Sequence, residues 1–431
     1  MISQQAPSTA LAMAPTLPLA LTSRQLLAYA LFGLPLSLLA LPVYVQVPQL
    51  YAGTLGLSLG RVGAILLAAR LLDAFADPLL GHWMDKVASM RGHAGFVLMS
   101  LLPMAAGYLA LFHPPAFSDA MTLCLWFGGS LVLVYLGYSM ALIAHGSWGA
   151  SLTQQRGERS RLTAMREGFA LAGVMVAAAL PEIAGLQALT LVFLTALGVS
   201  AWLLLQYAPR VPSVPHELQG WQALFAPLMQ RKFRWLLAVF AMNGIAAAIP
   251  ATLFLFFATD RLLLAQYAGL FLVAYFAAAA ISLPLWSKIS AEVGEPKAWL
   301  FSMLLSVAVF VWASLAEARE MMPFALICLL SGLALGADLA LPPALLAGVI
   351  GDAGHSSQRE GAYFGLWSWA TKMNLALAAG ISLPLLEWLG YVPGQPSEAG
   401  LRALVIAYAL LPCLLKLVAA WLLWRAPLRD V

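Results

Sequence analysis

Charge is what this chain has least of. Asp, Glu, Lys and Arg make up only 10% of its 431 residues, where a soluble globular protein carries roughly 25%. So few charges cannot cover a water-facing surface. With 62% hydrophobic residues and a mean hydropathy of +0.86 over the whole length, lipid must solvate most of the exterior. A single membrane anchor is excluded. Cysteine is scarce too: Cys124, Cys328 and Cys413 sit in apolar runs without C-x-x-C spacing and read as small buried hydrophobes. The absence of a G-x-x-x-x-G-K-[ST] loop argues against an ATP-driven pump. No Lys or Arg precedes residue 23, so the charged front of a cleavable signal peptide is missing. The net charge of +4 is what basic loops give a membrane protein, and no nucleic-acid partner is expected.

What is present is a series of apolar runs, each near the ~20 residues that cross a bilayer. They fall at 25–50, 59–84, 94–113, 121–148, 163–183 and 187–207, then at 234–258, 266–286, 298–316, 322–350, 361–390 and 401–424. This predicts an all-α integral membrane protein of twelve transmembrane helices. The stretch 209–234, with Pro209, Pro212, Pro215 and a basic cluster, divides the runs six and six. The expected organisation is a cytoplasmic tail (1–24), a six-helix bundle (25–208), a cytoplasmic linker (209–234), a second six-helix bundle (235–424) and a short tail (425–431). With both termini in the cytoplasm, fifteen Lys and Arg fall inside and only Arg61, Arg261, Arg319 and Arg402 outside. A multi-pass protein of a bacterial inner membrane follows, and a monomer is expected. A faint repeat, Pro78-Leu-Leu-Gly81 against Pro284-Leu-Trp-Ser287, fits two parallel halves. That is the major facilitator architecture.

An ionisable side chain in hydrocarbon costs at least ~2.5 kcal/mol, so those within spans must face protein or water. The second span carries Arg70, Asp73 and Asp77, and steps of three and four put them on one helical face. Two carboxylates one turn apart repel each other and recruit a cation, H⁺ or Na⁺, unless Arg70 simply neutralises one of them. The pair is a metal site only in the Na⁺ case. Ala76 stands where a hydroxyl would have helped Na⁺, which favours H⁺. Lys372 lies deep in the eleventh span and needs an anionic partner, for which Asp73 or Asp77 is the natural candidate. Arg166 and Glu167 open the fifth span, and Arg166 could alternatively pair with Glu158. Asp338 lies near Pro342 and Pro343, which interrupt helical hydrogen bonding. His145 and Trp148 share a face of the fourth span, and Trp369 and Asn374 flank Lys372. These four are candidate substrate contacts, with packing as the alternative for the histidine and an aromatic belt as the alternative for Trp369.

The run from Ala69 through Arg70, Asp73, Asp77 and Pro78 to Gly81, with Asp85 and Lys86 after it, resembles the second-helix signature of the glycoside-pentoside-hexuronide:cation symporters, the group that includes melibiose permease. Glu158 to Glu167 and the stretch from Arg359 through Lys372 to Gly394 are similar to the same group. The resemblance implies that Asp73 and Asp77 form the coupling-cation site, that Lys372 takes part in coupling and that Arg166 lines the sugar cavity. Arg70, Gly81, Asp85 and Asp338 are, apart from these roles, candidate structural or gating positions. Two departures count against a galactoside-like substrate. The first helix has Gly33-Leu-Pro-Leu-Ser37 and the fourth Ile143-Ala-His145, where sugar-transporting members carry an acid.

A symporter of a small organic solute, with a sugar or glycoside as the leading class, is therefore expected to work by alternating access. Its partners are the solute, the coupling cation and the bilayer, and no cofactor is expected. A carrier of lipids or amphiphiles on the same fold is the alternative. A membrane-embedded transferase, from a different class, would need catalytic acids or histidines in sizeable loops, and the outer loops here are short. No enzyme is expected.

Overall fold

The computed structural model describes residues 21–57, 59–117, 119–153, 155–210, 222–356, 358–391 and 397–428. Most of the N-terminal tail, the middle of the linker (211–221) and residues 429–431 lie outside the described residues.

Every regular element among the described residues is helical. In lipid this is forced, because water is not there to satisfy backbone N–H and C=O groups. The first span is α1 (Ser23–Ala30) followed by α2 (Gly33–Pro48). Next come α3 (Leu59–Phe112), α4 (Ala120–Leu152), α5 (Arg156–Tyr207) and the short α6 (Gln222–Met229). The second half runs α7 (Arg231–Phe256), α8 (Ala268–Val293), α9 (Glu295–Phe310), α10 (Met321–Asp352) and α11 (Glu360–Trp388), and ends with α12 (Glu398–Val405) and α13 (Leu411–Arg425).

Two of these runs each hold two spans. Inside α3 the helix breaks at Gly92 (φ 71°), and inside α5 at Gly185 (φ 79°). Only glycine takes that backbone region without strain, so the chain reverses there with almost no loop. The polar stretch after residue 84 is thus helical rather than a loop, up to the break at Gly92. At the start of α4, Asp119 accepts hydrogen bonds from the Thr122 amide and hydroxyl, both at 2.9 Å. These bonds hold its carboxyl below the usual carboxylate range.

Ten described segments are long and apolar enough to cross a membrane. The second and eleventh expected spans are not among them. They are the two that carry Arg70, Asp73 and Asp77, and Lys372 and Asn374. The lipid face of α3 is nonetheless plain. Leu71, Phe75 and Leu79, one turn apart, are exposed, while Asp73 and Asp77, two residues on and so about 200° around the helix, are buried.

Helices α3 and α4 pack closely, as do α2 and α5 in the first half, α8 and α10 in the second, and α7 and α13 there too. The halves meet where α11 lies on α3 and α4, and where α5 lies on α8 and α10. This contact is concentrated at the end of the molecule that carries the linker. Residues 139–152 of α4 are buried except Leu142, 340–350 of α10 except Pro343, and 360–370 of α11 except Trp369. From Thr371 onward α11 becomes partly exposed. At the crossing, a Cβ on Gly81 would overlap the carbonyl oxygen of Gly361, so the α3 and α11 backbones touch. The linker side is closed.

Candidate functional site

Asp73 and Asp77 leave α3 on the face opposite its lipid-exposed leucines and point at α4 and α11. The Lys372 ammonium from α11 lies 2.5 Å from Asp73 Oδ2 and 2.8 Å from Asp77 Oδ2, and it donates to Asp77 Oδ1 at 2.8 Å. It also donates to Ser139 Oγ of α4 at 2.9 Å, and that hydroxyl donates to Asp73 Oδ1 at 2.7 Å. Ser139 and Asp77 are fully buried, and only the lysine, 21% exposed at its side chain, reaches towards open space. Three side chains of the first half are thus tied to one of the second. Arg70 sits one turn before Asp73, half-buried.

Two carboxylates and one ammonium leave one negative charge among them. The ammonium already takes the position between the carboxylates where a metal ion would sit. Among the described residues there is no group of three or more His, Cys, Asp or Glu able to hold a metal ion.

The other candidate residues fall into separate clusters. Arg166 donates through Nε (3.0 Å) and Nη2 (2.5 Å) to Glu167 Oε1, while Glu158 pairs with Arg161 instead. The Arg166 carbonyl packs against Gly33. His145 and Tyr29 form a reciprocal lock between α4 and α1. The tyrosine hydroxyl donates to the His145 carbonyl, and His145 Nε2 lies 2.9 Å from the Tyr29 carbonyl. A carbonyl only accepts, so Nε2 carries the proton. Trp148 turns away to the linker side, donates Nε1 to the Pro209 carbonyl at 2.9 Å and stacks on His93. Trp369 lines a shallow cleft with Arg234 and Met373, and Asn374 donates to the Phe240 carbonyl at 3.4 Å. The neighbouring Trp367 stacks on Phe240, 3.7 Å between centroids.

Asp85 lies at the closed linker side. Its carboxylate accepts the Gly361 amide at 2.6 Å and the Ala362 amide at 2.9 Å, at the start of α11, where the unpaired amides and the helix dipole favour an anion. Asp338 is held inside the second half. It accepts from Asn243 (3.0 Å), Trp299 Nε1 (2.7 Å) and Lys416 (2.7 Å). This pair forms part of the lining of a cavity of about 380 Å³ whose other walls include Phe254, Phe271, Phe310 and Tyr408.

Sequence reasoning missed Lys416 and Ser139. The lysine carried a usable signal, a lone cation inside the apolar run from Pro412 to Ala420. The serine carried none, since hydroxyls are common in apolar helices.

Comparison with known proteins agrees with this architecture. The chain is 25% identical over 419 residues to the glucuronide carrier protein homolog of Escherichia coli (strain K12), covering 88% of this chain and 87% of the relative. A shorter match, 29% over 124 residues, covers 28% of this chain and 27% of a putative glycoside/cation symporter of the same organism. Among solved structures, the E. coli fucose:proton symporter superposes with a TM-score of 0.66 at 15% identity, covering 94% of this chain and 98% of that one. A bacterial homologue of the iron transporter ferroportin, in its outward-facing state, gives 0.70 at 16%, covering 93% and 98%. At these identities the structures speak for the fold alone. A family model described as MFS/sugar transport protein matches residues 26–430. The chain is a multi-pass membrane protein of that family, within its glycoside-pentoside-hexuronide:cation symporter group.

Proposed function

We propose that the chain is a proton-coupled symporter of a sugar acid or its glycoside, with Asp73 and Asp77 as the coupling site. The reading rests on Lys372, which reaches from one half of the molecule to both carboxylates of the other. A proton on one carboxylate leaves the ammonium paired with the remaining one, and so weakens a tie between the halves without stranding a charge. The fifteen-to-four distribution of basic residues supports a cytoplasmic linker side in an inner membrane. The carrier works as a monomer.

A hexuronide suits the substrate site better than a neutral galactoside. The first and fourth spans lack acids at the positions where sugar-transporting members carry them, so a substrate carboxylate meets no repulsion from those helices. Arg166 offers a partner, since Glu167 takes two of the guanidinium's five N–H donors. The test is uptake of labelled phenyl β-glucuronide and phenyl β-galactoside into proteoliposomes under a proton or a Na⁺ gradient imposed separately. Accumulation of the glucuronide driven by the proton gradient is expected, and accumulation driven only by Na⁺ would reverse the choice of cation.

A second reading, a carrier of amphiphiles, is favoured by one observation, the cavity among α7 to α10 and α13 with phenylalanine walls and an ion pair in its lining. Saturable flux of a lysophospholipid, with no sugar accumulated under either gradient, would favour it.

A further inference from the structure

A cleft of about 320 Å³ opens at the linker end of the first half, away from the coupling site. It is lined by Gly92 to Gly95 and Leu98 of α3, Trp148 of α4, Leu205 of α5 and Arg210 just beyond it. The break at Gly92 starts a fresh helix there, so its first amides and the positive end of its dipole face the cleft. No heavy atom lies within 4 Å of where a Cβ on Gly92 would stand. His93 is 97% buried (3% exposed) and lines the cleft, and its ring is engaged only by stacking on Trp148, 6.3 Å between centroids. No hydrogen bond of that ring is present among the described residues. Arg210 supplies a full positive charge at the rim.

The cleft is therefore cationic and rich in donors at one end. Its other end is apolar and continuous with the membrane-facing surface. Leu98 is 59% exposed, and Leu102, one turn further into the membrane, is 77% exposed. Leu98 stands six residues, about 9 Å, along the helix from Gly92. Trp202, three residues before Leu205 on α5, is exposed as well.

We propose that this cleft binds the phosphate of a phospholipid headgroup at the start of the second segment of α3, with an acyl chain laid along Leu98 and Leu102. The phosphate takes the helix amides, the His93 ring N–H and the Arg210 guanidinium, which is the donor set an anion needs. The apolar flank is what separates a lipid from phosphate free in solution. Trp148 ties the cleft to the Pro209 carbonyl and lies two residues beyond Gly146, which packs on Phe364 of the other half, so occupancy should be read in the melting temperature.

The experiment melts the full-length protein in detergent with added dioleoylphosphatidylglycerol, dioleoylglycerol or millimolar inorganic phosphate. Phosphatidylglycerol is expected to raise the wild-type midpoint by roughly 2–5 °C, and dioleoylglycerol, which has the chains without the phosphate, to leave it unchanged. Arg210→Gln and His93→Phe should each cut the rise by more than half, while Arg402→Gln, an exposed arginine elsewhere, should keep it. Arg210 is exposed, so its variant folds and decides the matter even where His93→Phe does not. Equal rises in wild type and Arg210→Gln, or in the two lipids, would overturn the proposal. Inorganic phosphate giving the full rise in wild type and none in Arg210→Gln would support the anion chemistry and overturn the lipid as its source.

Discussion

Replacing Asp77 by asparagine should separate transport from coupling. Asparagine keeps nearly the shape of the side chain, and Lys372 keeps Asp73 at 2.5 Å and the Ser139 hydroxyl at 2.9 Å. What is lost is one carboxylate 2.8 Å from the ammonium. At an effective dielectric of 20 that attraction is about 6 kcal/mol gross. Most of it offsets the cost of burying the charges, so the net loss is nearer the 1.5–3 kcal/mol typical of a hydrogen bond to a charged group. The protein should therefore fold. Its ionic cluster becomes a neutral pair with no unmatched negative charge to attract a proton. In proteoliposomes with a gradient of about 2 pH units, one-to-one proton symport can accumulate substrate up to about a hundredfold, at 1.36 kcal/mol per unit. Asp77→Asn should bring that ratio to about one while preserving counterflow, in which substrate exchanges for substrate with no net driving force. Gradient-driven accumulation equal to wild type would refute the assignment, whatever the effect on stability.

Further outcomes follow from other parts of the molecule. Lys416→Met leaves Asp338 buried without its cation and should cost about 3–5 kcal/mol, whereas Lys416→Met with Asp338→Asn should recover most of it; thermal melts of the four proteins check this, and additive losses would argue against coupling of the pair. Gly81→Val drives a side chain into the Gly361 carbonyl and should hold the linker side open. A cysteine at position 364, buried in wild type, should then label with a polar maleimide several-fold faster, and an unchanged rate would remove the crossing from the gate. Reporter fusions after residue 220 and after residue 428 should both report cytoplasm, and a periplasmic signal at either would break the two-half topology.

Hydropathy alone made most helices legible, because a span must be apolar over some twenty residues wherever it sits in the fold. The second and eleventh are legible as apolar runs too, at 59–84 and 361–390, but they also carry charges. It is those charges, Asp73, Asp77 and Lys372, that the fold brings together across nearly 300 positions of sequence. Their cost in lipid made them conspicuous as single residues. Which aspartate the lysine would meet was not legible, and the answer is both. The surroundings of Trp148 were not legible either. Helical spacing puts it on the face of His145, yet three residues further along the axis it has passed beyond Tyr29 and meets the linker at Pro209. Helical periodicity gives a direction around the axis, while the partner depends on depth and on how neighbouring helices cross.

The two seams between the halves differ in a way that bears on how such a carrier moves. Where α5 meets α8 and α10, Ala164, Leu171, Ala279, Leu283 and Ala340 form an apolar cluster, and beside it Ser160 donates to Glu295 at 3.3 Å, a contact without an ion pair. Sliding such a surface exchanges one dispersion contact for another and breaks no charge pair. Where α3 meets α11, the contacts are charged: Lys372 on two carboxylates, and Asp85 on the Gly361 and Ala362 amides; separating the first bare would leave charges uncompensated at several kcal/mol each. Rocking about the apolar seam therefore costs little at any ionic state, and under the proposed function it is the charged seam that would make the motion depend on a cation. On the proposed coupling, a proton arriving at Asp73 or Asp77 changes the energy of a contact that resists separation, which is the requirement for coupling a gradient to a conformational change.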